Sequence, residues 1–162
     1  MADISAKAVM KLRKMSGQGM MDCKKALQET GGDLDEAMAL LRKKGLATMA
    51  KRAGRDTSEG ILVSKKSDDG KVAVMASLCC ETDFVSKNDD FVATAQLLGD
   101  CCLQCSADEG AENLAATEIN GKKFSEIITD VVSKTGEKTE IGDYTRYKIE
   151  GAVTVATSSL LA

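Results

Sequence analysis

Between residues 4 and 15, Ile4, Ala8, Leu12 and Met15 fall at intervals of four, four and three, which stacks them on one face of a helix. Ser16-Gly17-Gln18-Gly19 interrupts that helix. A second one carries Met20, Cys23 and Leu27 at the same period and stops at Gly31-Gly32, where a left-handed cap suits glycine. Asp33 opens a third: its carboxylate is placed to cap the free amides, with Glu36 three residues on as in a capping box, and Ala37, Leu40 and Leu41 form the apolar side. After Gly60 the period changes from 3.6 to 2. Ile61 and Val63 precede Ser67-Asp68-Asp69-Gly70, and Val72, Val74, Ala76, Leu78 and Cys80 follow, which predicts a β-hairpin with one packed face. Helices are expected over Asp90 to about Ser106 and Lys123 to about Lys134, and a third strand over Tyr144 to Ile149 with Thr145, Tyr147 and Ile149 on one side. The fold class is therefore α+β: a three-helix bundle (1–45), a basic linker (46–59), and a small antiparallel sheet covered by helices (60–151).

Charge sharpens that division. Residues 1–55 hold twelve Lys/Arg against six Asp/Glu, whereas residues 56–162 hold ten against nineteen, so a net charge of −3 conceals +6 and −9. From Arg42 to Arg55 there are six positive charges and no negative one, which reads either as a patch for phosphate or an acidic partner or as a solvated helix end and connector. The split weakens any picture of a chain-wide nucleic-acid surface.

Composition narrows the chemistry. The chain has no His, Trp or Pro, and most acid–base catalysis prefers the first of these. It lacks the Gly-x-x-x-x-Gly-Lys-Ser/Thr cradle, and Gly17-x-Gly19 follows a helix where a dinucleotide site needs a strand. Six cysteines invite a metal reading through Cys102-x-x-Cys105, Cys101 and Cys79-Cys80. The spacing falls in an apolar helix with no second Cys-x-x-Cys, so buried reduced thiols are expected, with neither metal nor cofactor. No window approaches the ~18 apolar residues of a membrane span and no export signal is visible, so no membrane partner and a cytoplasmic location are expected.

Thr82-Asp83-Phe84-Val85 stands apart. It lies in a tight turn between the second strand and a helix capped by Asn88 or Asp89, and it spends one of three Phe there. Two readings stay open at this point: Phe84 protrudes as an interface anchor beside Asp83, or it tucks under its own loop while Asp83 caps the turn.

Gly19-Met20-Met21-Asp22-Cys23-Lys24-Lys25-Ala26-Leu27 and Cys80-Glu81-Thr82-Asp83-Phe84-Val85 resemble two signatures of the translation elongation factor Ts family, in the family's order. The likeness takes in Gly32-Asp33, Ala50-Lys51-Arg52-Ala53-Gly54 and Gly60, and reaches more loosely to about Gly151. It implies a ubiquitin-associated-like N-terminal bundle and a non-enzymatic guanine-nucleotide exchange factor that promotes GDP release from elongation factor Tu during translation elongation. It further implies that the turn Thr82, Asp83, Phe84 and Val85 enters the GTPase domain and disturbs its Mg²⁺ site, with Leu12, Met20 and Met21 touching the same domain from the bundle. Many members carry a second α/β half with a His-containing turn that has no counterpart here. Residues 152–162 are accordingly expected to begin a missing or vestigial second half, with Val153 and Val155 favouring pairing and a homodimer possible. A ubiquitin-binding adaptor using Met20-Met21 and an RNA-binding module using Arg42 to Arg55 are the rival classes. The first leaves the Thr-Asp-Phe-Val turn unexplained, and the second lacks an aromatic ladder for stacking bases.

Overall fold

A computed structural model describes residues 4–151. Helix α1 (Ala6–Ser16) starts at Ser5, whose hydroxyl accepts from the Ala8 amide, and ends at Gly17, a left-handed residue with φ +68°. Helix α2 (Met20–Glu29) ends in a turn through Gly31 and Gly32, both at positive φ, where the Gly32 amide bonds the Leu27 carbonyl at 2.8 Å. Asp33 opens α3 (Leu34–Arg52) by accepting from the Asp35 and Glu36 amides at 2.9 and 2.8 Å. The reciprocal half of the expected capping box is replaced: the Asp33 amide bonds the Thr30 carbonyl at 3.2 Å. Val9, Leu12, Cys23, Ala26, Leu27, Ala37 and Leu41 close a small core among these helices.

The third helix runs past residue 45, where a linker was expected to follow, to Arg52. Leu46-Ala47-Thr48-Met49-Ala50-Lys51-Arg52 contains no Gly or Pro, so nothing local stops it, and Met49 packs onto the second core. Gly45 lies where α3 passes close to α7 (Phe124–Thr135): a Cβ there would overlap Ser133 Oγ and lie 3.3 Å from the Thr129 carbonyl oxygen. The Thr129 hydroxyl, which donates to the Ser125 carbonyl at 2.9 Å, lies 3.4 Å from Met49 Sδ across the same interface.

Strands β1 (Glu59–Lys66) and β2 (Val72–Cys80) pair antiparallel with Val63 opposite Ala76, and β5 (Thr139–Lys148) pairs antiparallel on the other edge of β2, giving the order β1-β2-β5. Helices α5 (Asp89–Gln104) and α7 cover one face. Val63, Val74, Ala76, Leu78 and Cys80 from that face meet Phe91, Leu98, Cys101, Cys102, Leu114, Phe124, Val132, Ile141 and Tyr144 in a continuous core. Tyr144 closes it, donating its hydroxyl to the Ala107 carbonyl at 2.9 Å. The opposite face is open, with Leu62, Met75 and Tyr147 exposed.

Two features depart from expectation here. The strand predicted from Tyr144 begins at Thr139, and its register slips by one residue between Ala76 and Leu78. That bulge turns Ile141 and Tyr144, three apart, toward the core, while Tyr147 is 69% exposed and Ile149 is also exposed. The side carrying Thr145, Tyr147 and Ile149 is therefore the outer one. A short helix α6 (Ala111–Ala116) and a minimal hairpin, β3 (Glu118–Ile119) with β4 (Lys122–Lys123), were not foreseen. Asn120 and Gly121, both at positive φ, form its two-residue turn.

All six cysteines are free thiols, and all but Cys79 are buried. Burial pushes the Cys80 and Cys101 thiols up to about 11 and Cys102 to about 12. No cluster of metal-ligating side chains occurs among the described residues. No helix of the described residues is long and apolar enough to cross a membrane. Residues 152–162, with Val153 and Val155, lie outside the described residues.

Two outcomes follow from this packing. Gly45→Ala should lower the unfolding free energy in urea by about 1–3 kcal/mol through overpacking, although Ala is favoured over Gly in a helix by roughly 0.5–1 kcal/mol; an unchanged or raised midpoint would contradict the close α3–α7 contact. In the native protein at neutral pH, Ellman's reagent should titrate a single rapid thiol that disappears in Cys79→Ser. Several rapid thiols would contradict the buried placement of the others.

Candidate functional site

Strand β2 ends at Cys80, and the chain enters a four-residue helix, α4 (Asp83–Ser86), before α5 begins at its Asn88 cap. So short a helix has too few hydrogen bonds to hold its own direction. Neighbouring groups hold it. Glu81 takes Arg52, the last residue of α3, on both carboxylate oxygens at 2.9 and 2.8 Å, and accepts the Lys138 amide at 2.6 Å. The Lys138 amide and the Arg52 guanidinium hold the Glu81 carboxyl below the usual range, against burial that acts to raise it. A depressed carboxyl contributes stability above its unfolded titration range and loses it as pH falls through the folded value, so this clamp is an acid-sensitive joint.

On the far side of Phe84, Val85 turns inward and is 8% exposed, packed in the sheet core. The Asn88 amide bonds the Val85 carbonyl at 3.0 Å, and the Asn88 side chain accepts from the Asp90 amide at 2.9 Å to start α5. Between these anchors Phe84 is 84% exposed, the highest value among the large hydrophobic residues described. Leaving such a ring in water forgoes about 1.5–3 kcal/mol that burial would supply. Asp83 beside it pairs with Lys87 one helical turn on, at 2.7 Å; that lysine holds the Asp83 carboxyl below its usual range, and Asp83 raises Lys87 in turn. Both stay in solvent.

Phe84, Val85, Asn88 and Asp90 form one wall of a cleft of about 340 Å³, with Val131, Lys134 and Thr135 of α7 beneath and Gly17 of the bundle opposite. Lys134 bonds Asp90 at 3.3 Å and runs under Gly17, where a Cβ would overlap its Cε. The turn that leads into Met20 and Met21 thus borders the same cleft as the Phe84 turn.

The residues singled out from the sequence divide sharply. Phe84, Met20 and Met21 are exposed, and Met15 and Met10 join them as exposed thioethers on α1. Asp83 is half-exposed on its side chain. Leu12, expected as a partner contact, is 0% exposed: its position on the α1 face toward Cys23 and Leu41 makes it core. Val85 is likewise a packing residue, and Thr82 serves the turn through Glu137, its hydroxyl lying 2.9 and 3.1 Å from that carboxylate. Sequence reasoning missed Arg52, Glu137 and Lys138, whose partners lie dozens of residues away and leave no local periodic mark.

The family model described as Elongation factor TS matches residues 81–157, beginning at the clamped Glu81. Proteins named Elongation factor Ts align along nearly all of the chain. That of Alkalilimnicola ehrlichii is 45% identical over 148 residues, covering 91% of this chain and 50% of its own length. That of Chlorobium phaeovibrioides is 46% identical over 144 residues, covering 87% and 50%. That of Parabacteroides distasonis is 46% identical over 154 residues, covering 95% and 44%. The chain spans about half the length of the curated relatives it matches. Along nearly all of its length, with residues 81–157 matched by the family model, the chain is similar to proteins of the elongation factor Ts family.

Proposed function

We propose that this chain acts as a guanine-nucleotide exchange factor, with elongation factor Tu as the GTPase it opens. The observation that carries the reading is Phe84, a ring exposed by 84% on a turn braced on both sides, which is the form of an interface anchor and not of a loop packed on itself. Of the two readings that the sequence left open, the protruding one agrees with this geometry. The likeness to the elongation factor Ts family supplies the partner.

The mechanism is differential binding. A factor that favours the nucleotide-free GTPase weakens GDP by the same factor by which GDP weakens it. Moving a partner from 1% to 99% open needs about 5.5 kcal/mol of differential affinity. Full burial of one Phe contributes only about 1.5–3 kcal/mol, so Phe84 alone falls short. The remainder falls to the second surface, Met20 and Met21, and to disturbance of the GTPase's own Mg²⁺ contacts by the inserted turn. Two surfaces bordering one cleft suit this division, since one grips while the other wedges.

A ubiquitin-binding adaptor would use the same methionines but leaves the braced Phe84 without a role. RNA binding would use the run from Arg42 to Arg55, but Arg52 is committed to Glu81 and Lys44 pairs with Glu29 at 3.0 Å.

Phe84→Ala should slow factor-stimulated release of a fluorescent GDP analogue at least tenfold, while leaving the unfolding free energy in urea within about 0.5 kcal/mol of the parent because the side chain lies outside the core. Normal release by that variant would sink the reading. Met21→Asp should raise the factor concentration needed for half-maximal release with little change in the maximal rate; the converse pattern would reassign the bundle from grip to wedge.

A further inference from the structure

Thr82 occupies the cap position of α4, with extended backbone at φ −134°, yet its side chain makes no capping bond to the helix it begins. A threonine there ordinarily offers its oxygen to the second or third amide. Here the hydroxyl is diverted. It donates to Glu137, 2.9 Å from Oε1 and 3.1 Å from Oε2, and the Thr82 amide donates to Oε2 of the same carboxylate at 3.2 Å. Glu137 follows Gly136, the left-handed residue that ends α7, and precedes β5, so it stands on a fixed corner between two long elements. Among the described residues no Lys or Arg forms an ion pair with it, although the neighbouring Lys138 pairs with Glu140. Among the described residues its carboxylate hydrogen-bonds Thr82 alone.

We propose that Glu137 is a positioning residue for the exchange reaction, holding both polar hydrogens of Thr82 so that α4 presents Phe84 at one fixed angle. The inference rests on the exchange reading above. Thr82 is fixed by Glu137 and Val85 by the core, which leaves Asp83 and Phe84 as the span between two anchors. Hydrogen bonds to a charged acceptor are stronger than a neutral cap bond, and a local cap would orient α4 relative to itself only. The Glu137 bond orients it relative to α7, the helix that forms the floor of the cleft. Placing a wedge with the right orientation before contact lowers the ordering cost that binding would otherwise bear.

The test uses full-length variants and fluorescent-GDP release from elongation factor Tu at saturating factor. Glu137→Ala should lower the maximal rate about tenfold, Glu137→Gln should recover part of it because its amide oxygen still accepts the Thr82 hydroxyl, and Thr82→Val should resemble Glu137→Ala. In the Phe84→Ala background, Glu137→Ala should cause no further loss, because its effect passes through the ring. Amide hydrogen exchange at Thr82, read without any partner, should quicken in Glu137→Ala while the α5 and α7 amides keep their protection. Equal losses in the presence and absence of the Phe84 ring would mark Glu137 as merely structural and overturn the proposal. A slow Phe84→Ala beside a normal Glu137→Ala would overturn it while leaving the exchange reading intact, whereas a normal Phe84→Ala would remove the exchange reading itself. Should Glu137→Ala fail to fold, Glu137→Gln and Thr82→Val carry the same comparison.

Discussion

The turn from Glu81 to Val85 depends on a carboxylate clamp made at a distance. Glu81 and Thr82 are adjacent in the chain, and so are Glu137 and Lys138, and the two pairs lock side by side. Arg52 joins them from the end of α3. Without these contacts α4 would be one turn of helix with nothing to define its direction. With them, a ring that the hydrophobic effect would fold under the loop is kept in water, and the cost of about 1.5–3 kcal/mol is offset by charge-assisted bonds and by Val85 in the core.

The same contacts tie the two hydrophobic cores together. Helix α3 begins in the bundle core with Ala37 and Leu41, passes α7 at Gly45, reaches the sheet core with Met49 and ends on Glu81 with Arg52. One rod therefore joins the bundle, whose α1 and α2 present the exposed methionines, to the Phe84 turn that it braces. The missing side chain at Gly45 permits the close crossing, and the cleft between Gly17 and Phe84 depends on that crossing. Rigidity here serves recognition: two exposed apolar groups held on one frame lose less freedom on binding than two on a jointed chain.

Much of this fold was legible from local pattern. The helix stops at Gly17 and Gly31-Gly32, the Asp33 and Asn88 caps, and the alternation from Val72 to Cys80 are short-range devices, and each occurs where its residues imply. What escaped was set by tertiary contact. The close pass of α7 at Gly45 has no local sequence mark. The β5 bulge moved Tyr144 to the core and Tyr147 to solvent, and a one-residue slip leaves no compositional trace. Leu12 and Met20 look alike on a helical wheel, but only one faces Leu41 and the core. The Thr-Asp-Phe-Val turn was legible as unusual, whereas its brace was not, because Glu137 lies 55 residues from Thr82. The Asn120-Gly121 turn is the one device whose local signal was present and passed over.

Exchange by differential binding makes a demand that no passive adaptor meets: the factor and GDP must weaken each other equally. The most direct measurement is therefore the affinity of this chain for elongation factor Tu by titration calorimetry, with the GTPase nucleotide-free and then saturated with GDP, alongside the GTPase's GDP affinity with and without the chain. The account predicts a large loss of affinity on adding GDP, matched by the same factor in the reverse experiment. Equal affinity for the empty and GDP-loaded GTPase, or no binding to either, would contradict it.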